Sequence, residues 1–279
     1  MPDLSSTLQE IVEYRGVSDL VAAEVLTDDN GADGYTTGDV FAIAGVAEIS
    51  RTTDSSSEAH YYDNIPAVII QSTSADTVTI SASAIPFDVY AKITGQVYDS
   101  ATGALIEGER ATKYFAIGYR TKKTNGDQVF VWRYKGSFNV PGVTNATEND
   151  GTDANGQEIV FTGIQTTHKF VKTGKGAKAL NVDLGKDLAD VSAFFTTVTT
   201  PDTLTPKTAR TLTITQATNT TVTVLKNGNA LTTGATIYDG DELKISVTGG
   251  TLTVNSVAFT SGDIHVVSGN TTVVSTASA

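Results

Sequence analysis

Thr77-Val78-Thr79-Ile80-Ser81-Ala82-Ser83-Ala84, running straight into Ile85-Pro86-Phe87-Asp88-Val89-Tyr90-Ala91-Lys92-Ile93-Thr94-Gly95, sets the two periods of secondary structure side by side. In the first eight residues apolar side chains alternate strictly with hydroxyl side chains, which predicts a strand with one buried and one wet face. In the next eleven, Pro86 stands where a helix opens, Asp88 falls in its first turn and Gly95 stands where it closes. Phe87, Tyr90, Ala91 and Thr94 share one stripe of that helix. At two to three turns it needs tertiary packing to persist.

Downstream, Lys113 to Val140 reads as a long hairpin: Tyr114 to Lys122 runs out, Asn125-Gly126 turns, and Gln128 to Val140 returns. Strict alternation places Phe130, Trp132, Tyr134 and Phe138 on one face of the return strand, an aromatic row suited to a core. The other face takes Arg133, Lys135 and Ser137, with Val129 and Val131 at its start. Weaker strands are Val17 to Thr27, Val40 to Arg51, Ala67 to Ser72 and Glu158 to Thr167. Thr52 to Ile65, with Ser55-Ser56-Ser57 and then His60, Tyr61 and Tyr62, reads as a polar loop, exposed and mobile in an isolated subunit.

Composition shifts near Thr200-Pro201-Asp202-Thr203-Leu204-Thr205-Pro206. From Thr205 to Ala279 Thr accounts for 19 of 75 residues, and Asp239, Asp241, Glu242 and Asp263 balance Lys207, Arg210, Lys226 and Lys244. Short strands are expected at Arg210 to Thr215, Thr221 to Leu225, Thr236 to Tyr238, Glu242 to Thr248, Thr251 to Asn255, Val257 to Thr260, Ile264 to Val267 and Thr271 to Val274. Turn pairs such as Asn227-Gly228 and Asp239-Gly240 separate them. The pattern predicts a small β-sandwich of immunoglobulin-like type at 204–279, after a first domain at 1–203.

The net charge of -12 therefore lies wholly in the first domain. So acidic a surface repels phosphate backbones and argues against tight nucleic-acid binding. Mean hydropathy of -0.06 with 39% hydrophobic residues fits a folded globular chain, and no apolar run is long enough to span a bilayer, so no membrane insertion is expected. The opening Met1-Pro2-Asp3-Leu4-Ser5-Ser6 lacks the basic and apolar regions of a secretory signal, so the chain is expected to be made and to stay in the cytoplasm. With no Cys there is no disulfide, thiolate metal site or Cys nucleophile.

No catalytic, cofactor or metal site emerges. His60, His168 and His265 lie in separate segments without metal-ligand spacing. Asp153-Ala154-Asn155-Gly156 and Asp28-Asp29-Asn30-Gly31 fail the calcium-loop signature at its first ligand and read as Asx-rich turns. Thr173-Gly174-Lys175-Gly176-Ala177-Lys178 lacks the frame of a phosphate-binding loop. The chain is not expected to be an enzyme.

Seven segments taken in order resemble the major tail protein, or tail tube protein, of long-tailed siphovirus-type bacteriophages. They are Gly16 to Val25 with Thr27-Asp28-Asp29, Phe41 to Ser50, His60 to Asn64, the Thr77 to Ala84 strand, the helix to Gly95, the hairpin carrying Tyr114 to Tyr119, and Glu158 to Gly163. The resemblance covers about residues 14 to 167; His168 to Thr203 falls outside it. It implies a mainly β tail-tube sandwich or barrel with one flanking helix, with the C-terminal immunoglobulin-like domain as an external decoration. It further implies hexameric rings stacked head to tail into a virion tail tube for DNA ejection into the host cell. Tape-measure, tail-completion and distal tail proteins would be its partners, and double-stranded DNA would pass through transiently.

On that reading Ser55, Ser56, Ser57, His60, Tyr61 and Tyr62 form an inter-ring contact. Glu48, Asp54 and Asp76 either line the channel as a DNA-repelling acidic wall or face solvent outside. The rival from another class is a bacterial surface adhesin or pilin-like β-sandwich module, since Thr-rich sandwiches without Cys suit that role too.

Overall fold

The computed structural model describes residues 11–31, 33–62, 64–144 and 156–278. The chain divides into two compact units, Met1–Thr205 and Pro206–Ala279.

In the first unit the strands are β1 (Tyr14–Asp28), β2 (Tyr35–Thr37), β3 (Phe41–Ala42), β4 (Val46–Tyr62) and β5 (Ile65–Ala82). After helix α1 (Phe87–Thr94) come β6 (Val97–Asp99), β7 (Ala104–Ile106), β8 (Phe115–Lys123), β9 (Gln128–Phe138), β10 (Gln157–Ile164) and β11 (Ala179–Asp183). Nine of them form one sheet in the order β2-β1-β8-β9-β10-β5-β4, with β3 also paired to β1 and β11 to β9; β6 and β7 make a small separate hairpin. Among the described residues the mainly β fold with a single α-helix agrees with the sequence expectation.

The alternating stretch at Thr77 is the inner end of β5, with Val78, Ile80 and Ala82 buried. They meet Ile117, Val131, Ile159 and Phe161 in one apolar core, closed by Tyr90 and Ile93 of α1. The helix begins after Pro86 and ends on Gly95 in the left-handed conformation, φ 72°. Its buried stripe is Tyr90, Ala91, Ile93 and Thr94, whereas Phe87, expected inside, stands 58% exposed. Packing of the C-terminal turn, with Arg110 Nε donating to the Thr94 carbonyl at 3.1 Å, sets that rotation.

Strand β9 departs from strict alternation. Val129 to Arg133 pair with β11, then Lys135 to Phe138 pair with β10. Between these partners β9 bulges against β8, where Ile117 faces Arg133 but Phe115 faces Gly136. The extra residue reverses the side-chain phase. Phe138 therefore leaves the aromatic row and joins Phe115 and Phe161 in the first core. Phe130, Trp132 and Tyr134 remain on the opposite face.

That second face is covered by the stretch outside the resemblance. Phe170, Val182, Phe194 and Val198 pack with Phe130, Trp132 and Tyr134 in a second core. Trp132 and Phe194 are each at most 2% exposed. Tyr134 donates its hydroxyl to the Thr199 carbonyl at 3.1 Å, and Tyr35 donates to the Tyr134 carbonyl at 2.5 Å. Burial pushes both phenols far above their ordinary pKa. Asp28, read as part of a turn, accepts from Lys135 Nζ at 2.5 Å and from the Thr167 and His168 amides, fastening this cover to β1. The Asx-turn reading holds one residue on, where Asp29 accepts from the Gly31 amide at 2.7 Å.

The second unit is built from β12 (Ala209–Thr215), β13 (Thr221–Lys226), β14 (Asn229–Leu231), β15 (Thr236–Tyr238), β16 (Glu242–Thr248), β17 (Gly250–Val254), β18 (Val257–Phe259), β19 (Ile264–Val266) and β20 (Thr271–Ala277). One sheet runs β15-β12-β20-β17-β18 and the other β14-β13-β16-β19. Leu212, Ile237 and Val273 from the first meet Val224, Leu243 and Ile245 from the second in a common core. Only β14 was not anticipated. It follows the turn at Asn227 and Gly228, both at positive φ, which suits a two-residue hairpin.

Candidate functional site

Thr52 to Ile65 is not a loop. It belongs to a ribbon in which β4 and β5 pair from Val46 and Ala82 out to Tyr62 and Ile65. The isolated polar run looked loop-like because its partner, Ile65 to Ala75, lies beyond the turn and supplies the apolar half of the pattern. Beyond Asp76 no third strand among the described residues pairs with this ribbon, since β10 pairs with β5 only from Asp76 to Ala82, and Lys178 Nζ reaches no farther than the Ser74 carbonyl. About ten residues of paired strand thus extend as a free arm of roughly 30 Å.

Both faces of the arm carry large apolar side chains and are open. Cross-strand pairs put Glu58, His60 and Tyr62 beside Ile70, Val68 and Ile65 on one face, and Ala59 and Tyr61 beside Ile69 and Pro66 on the other. Tyr61, Tyr62, Ile65 and Ile69 are each 64–66% exposed. Nearer the body the ribbon is hydroxyl-rich, and Ser56 and Ser72 share a hydrogen bond of 2.6 Å. The six residues expected to make an assembly contact, Ser55, Ser56, Ser57, His60, Tyr61 and Tyr62, are thus all brought onto one exposed element. Sequence reading missed their apolar partners Ile65, Val68, Ile69 and Ile70; the run Val68-Ile69-Ile70 was the available signal.

At the root of the arm Asp76 is only 3% exposed and Arg133 5%. Arg133 Nη1 donates to Asp76 at 2.6 Å, Lys178 Nζ at 3.1 Å and the Thr53 hydroxyl at 2.9 Å, with Arg51 at 4.0 Å. Burial pushes the Asp76 carboxyl up, but the hydrogen bonds from Thr53 and Lys178 and the charges of Arg133 and Lys178 outweigh it, so the carboxyl titrates below its ordinary value. These groups border an open cavity of about 710 Å³, whose other walls include Tyr14, Ile49, Tyr119, Val129 and Val131.

Of the acids considered for a channel wall, Asp76 is therefore buried and neutralised by cations. Glu48 is exposed, and the Asp54 side chain lies outside the described residues. Glu48 belongs to the face of β4, β5 and β10 turned away from the core. Rows Glu48–Ser81–Glu158, Ser50–Thr79–Val160 and Thr52–Thr77–Thr162 run across it, small, hydroxylated and acidic, with no Lys or Arg.

An exposed apolar arm of this kind on a β body suits contact with another protein surface. The family model for phage tail tube proteins matches residues 30–188, more than half of the chain. The chain belongs to that family. The match takes in the arm, the helix, the β8–β9 hairpin and the cover as far as β11, so the stretch that resisted alignment is partly inside the family's own domain. No curated protein matches the chain. As a tail tube protein it is a structural, non-enzymatic component of the virion tail, which sets aside the adhesin reading, and it assembles with copies of itself into a tube within a tail of other proteins. Among the described residues no helix of this tail tube protein is long and apolar enough to cross a membrane.

Proposed function

We propose that this tail tube protein forms six-membered rings that stack head to tail into the channel for DNA ejection, with the β4–β5 arm making the contact between rings. The exposed apolar arm carries this reading. Burying a large apolar side chain stabilises by roughly 1.5–3 kcal/mol. The six such residues on the arm are thus comparable to the roughly 4–15 kcal/mol lost when a subunit is immobilised. Repetition around a ring multiplies the effect. An arm that leaves one subunit and docks on a different surface of the next is a heterologous contact, which generates a filament where successive copies do not close into a ring.

The cation-free face bearing Glu48 and Glu158 is the candidate channel wall, with Asp54 beside it on β4; a polyanion slides along such a surface without being held. Asp76, compensated within its own subunit, adds little to that field. Tape-measure, tail-completion and distal tail proteins are the proposed partners, and the Pro206–Ala279 sandwich is proposed as an immunoglobulin-like decoration on the outside.

Deleting Ser55 to Ser57 together with His60 to Tyr62 is expected to leave soluble protein that forms no tubes in negative-stain electron microscopy. Tubes of normal length from that deletion would refute the arm's role. Lys at Glu48 and Glu158 is expected to permit assembly while slowing ejection in a salt-sensitive manner; unchanged ejection at low salt rules out this face as the wall.

A further inference from the structure

We infer that the cavity at the root of the arm is a socket for the arm of a second copy of this chain, with Glu58 seated among its cations. The inference rests on the reading of the arm as an assembly contact and adds the surface that receives it.

Charge is the first argument. In a chain of net charge -12, the cavity is bordered by Arg51, Arg133 and Lys178 against the single carboxylate of Asp76. Two positive charges are left over in a partly dry site, where an added carboxylate is worth more than in water. Arg133 commits Nη1 to Asp76, while its buried Nε has no partner. Arg51 is half-exposed, donates to the Thr53 hydroxyl at 3.1 Å and stands 4.0 Å from Asp76, so an incoming acid can draw it from a neutral partner.

The arm has the complementary composition. One of its faces carries Glu58 opposite Ile70 and between Ser56 and His60, with Val68, Tyr62 and Ile65 farther out, and Glu58 makes no ion pair among the described residues. The socket sets its cations among Tyr14, Tyr119, Val129 and Val131. Its volume of about 710 Å³ lies in the range of roughly 300–1,000 Å³ that encloses a drug-sized group, and so admits a few side chains at once.

Geometry excludes the subunit's own arm. Arg51 and Glu58 lie on the same extended strand, seven residues or roughly 23 Å apart, and continuous pairing with β5 prevents the arm from folding back. The carboxylate must come from another copy. Because the socket lies at the foot of the arm, each filled socket presents a new arm beyond it, a heterologous contact that repeats from copy to copy.

Charge reversal tests this without touching the core. Arg51→Glu and Glu58→Arg, both at exposed positions, should each raise the critical concentration for tube formation by roughly tenfold or more, and the double variant should recover most of the loss. Failure of the double variant to recover, or single variants that assemble normally, overturns the socket. If the arm deletion still abolishes tubes, the arm reading then stands without it. If arm-deleted protein makes tubes, both fall. The absence of native Cys allows a second measurement. Tubes from a mixture of Tyr62→Cys and Asn181→Cys subunits should give disulfide-linked dimers on oxidation, and neither variant alone should. Intact mixed tubes without the dimer overturn the proposal.

Discussion

The indole Nε1 of Trp132 donates to the main-chain carbonyl of Phe194 at 2.7 Å, with both residues buried. This bond ties the central strand β9 to the irregular stretch after β10 and explains why that stretch, poor in regular structure, is ordered. Phe194 and Phe195 pack on Phe130, and Phe195 also on Trp132, at centroid distances of 4.9–5.9 Å.

Trp132→Phe removes that donor and part of a fully buried ring. The Thr199 hydroxyl, 3.3 Å from the same carbonyl, retains part of the hydrogen bonding. A loss of about 2–4 kcal/mol is expected in urea unfolding, with faster proteolysis within residues 184–205. A variant as stable as the parent would show that the cover contributes little to the body.

Gly95→Ala tests the helix stop. The residue sits at φ 72°, and an added Cβ would lie 2.1 Å from the Ala111 carbonyl oxygen. Left-handed strain alone costs roughly 1–2 kcal/mol, so the variant should lose more than ~2 kcal/mol, read as a drop in denaturation midpoint with unchanged slope.

Asp76 makes stability depend on pH in a definite direction. Its carboxyl titrates below the ordinary value when folded, so its contribution is present above the unfolded pKa of about 3.9 and is lost as pH falls through the lower folded value. Asp28, also held low, acts in the same sense. Asp76→Asn leaves Arg133 buried and unpaired. It should cost about 3–5 kcal/mol at neutral pH and flatten the acid limb of the stability curve; an unaltered limb would place the acid sensitivity elsewhere.

The joint between the two units should open after Thr205. Pro201 is buried, Thr200 and Thr203 hydrogen-bond each other, and Leu204 packs on the aromatic cluster of the first unit. Limited proteolysis is therefore expected to cut near Pro206, a few residues beyond the first proline of the joint. The released Pro206–Ala279 piece should unfold cooperatively on its own. In it Asp241, 4% exposed, holds Lys226 and the Tyr238 amide at 2.8 Å. Asp241→Ala should destabilise the isolated piece far more than Asp263→Ala on its exposed turn.

Local chemistry was readable from the residues alone wherever one element states its own period. The Thr77 strand, the Pro86-to-Gly95 helix, the Asn125-Gly126 hairpin and eight strands of the second unit are set by alternation and turn residues a few positions apart. The ordered segments that resemble tail tube proteins were legible for the same reason.

Contacts between distant residues required the folded chain. The bulge that turns Phe138 away from Trp132 exists because β9 changes partner from β11 to β10, which no alternation within β9 can reveal. The Ser-rich run became an arm once β5 paired with it, since a strand exposed on both faces has no amphipathic signature. Arg51, Asp76, Arg133 and Lys178 come from four separate segments, and only the crossing of those segments sets three cations around one carboxylate beside a cavity.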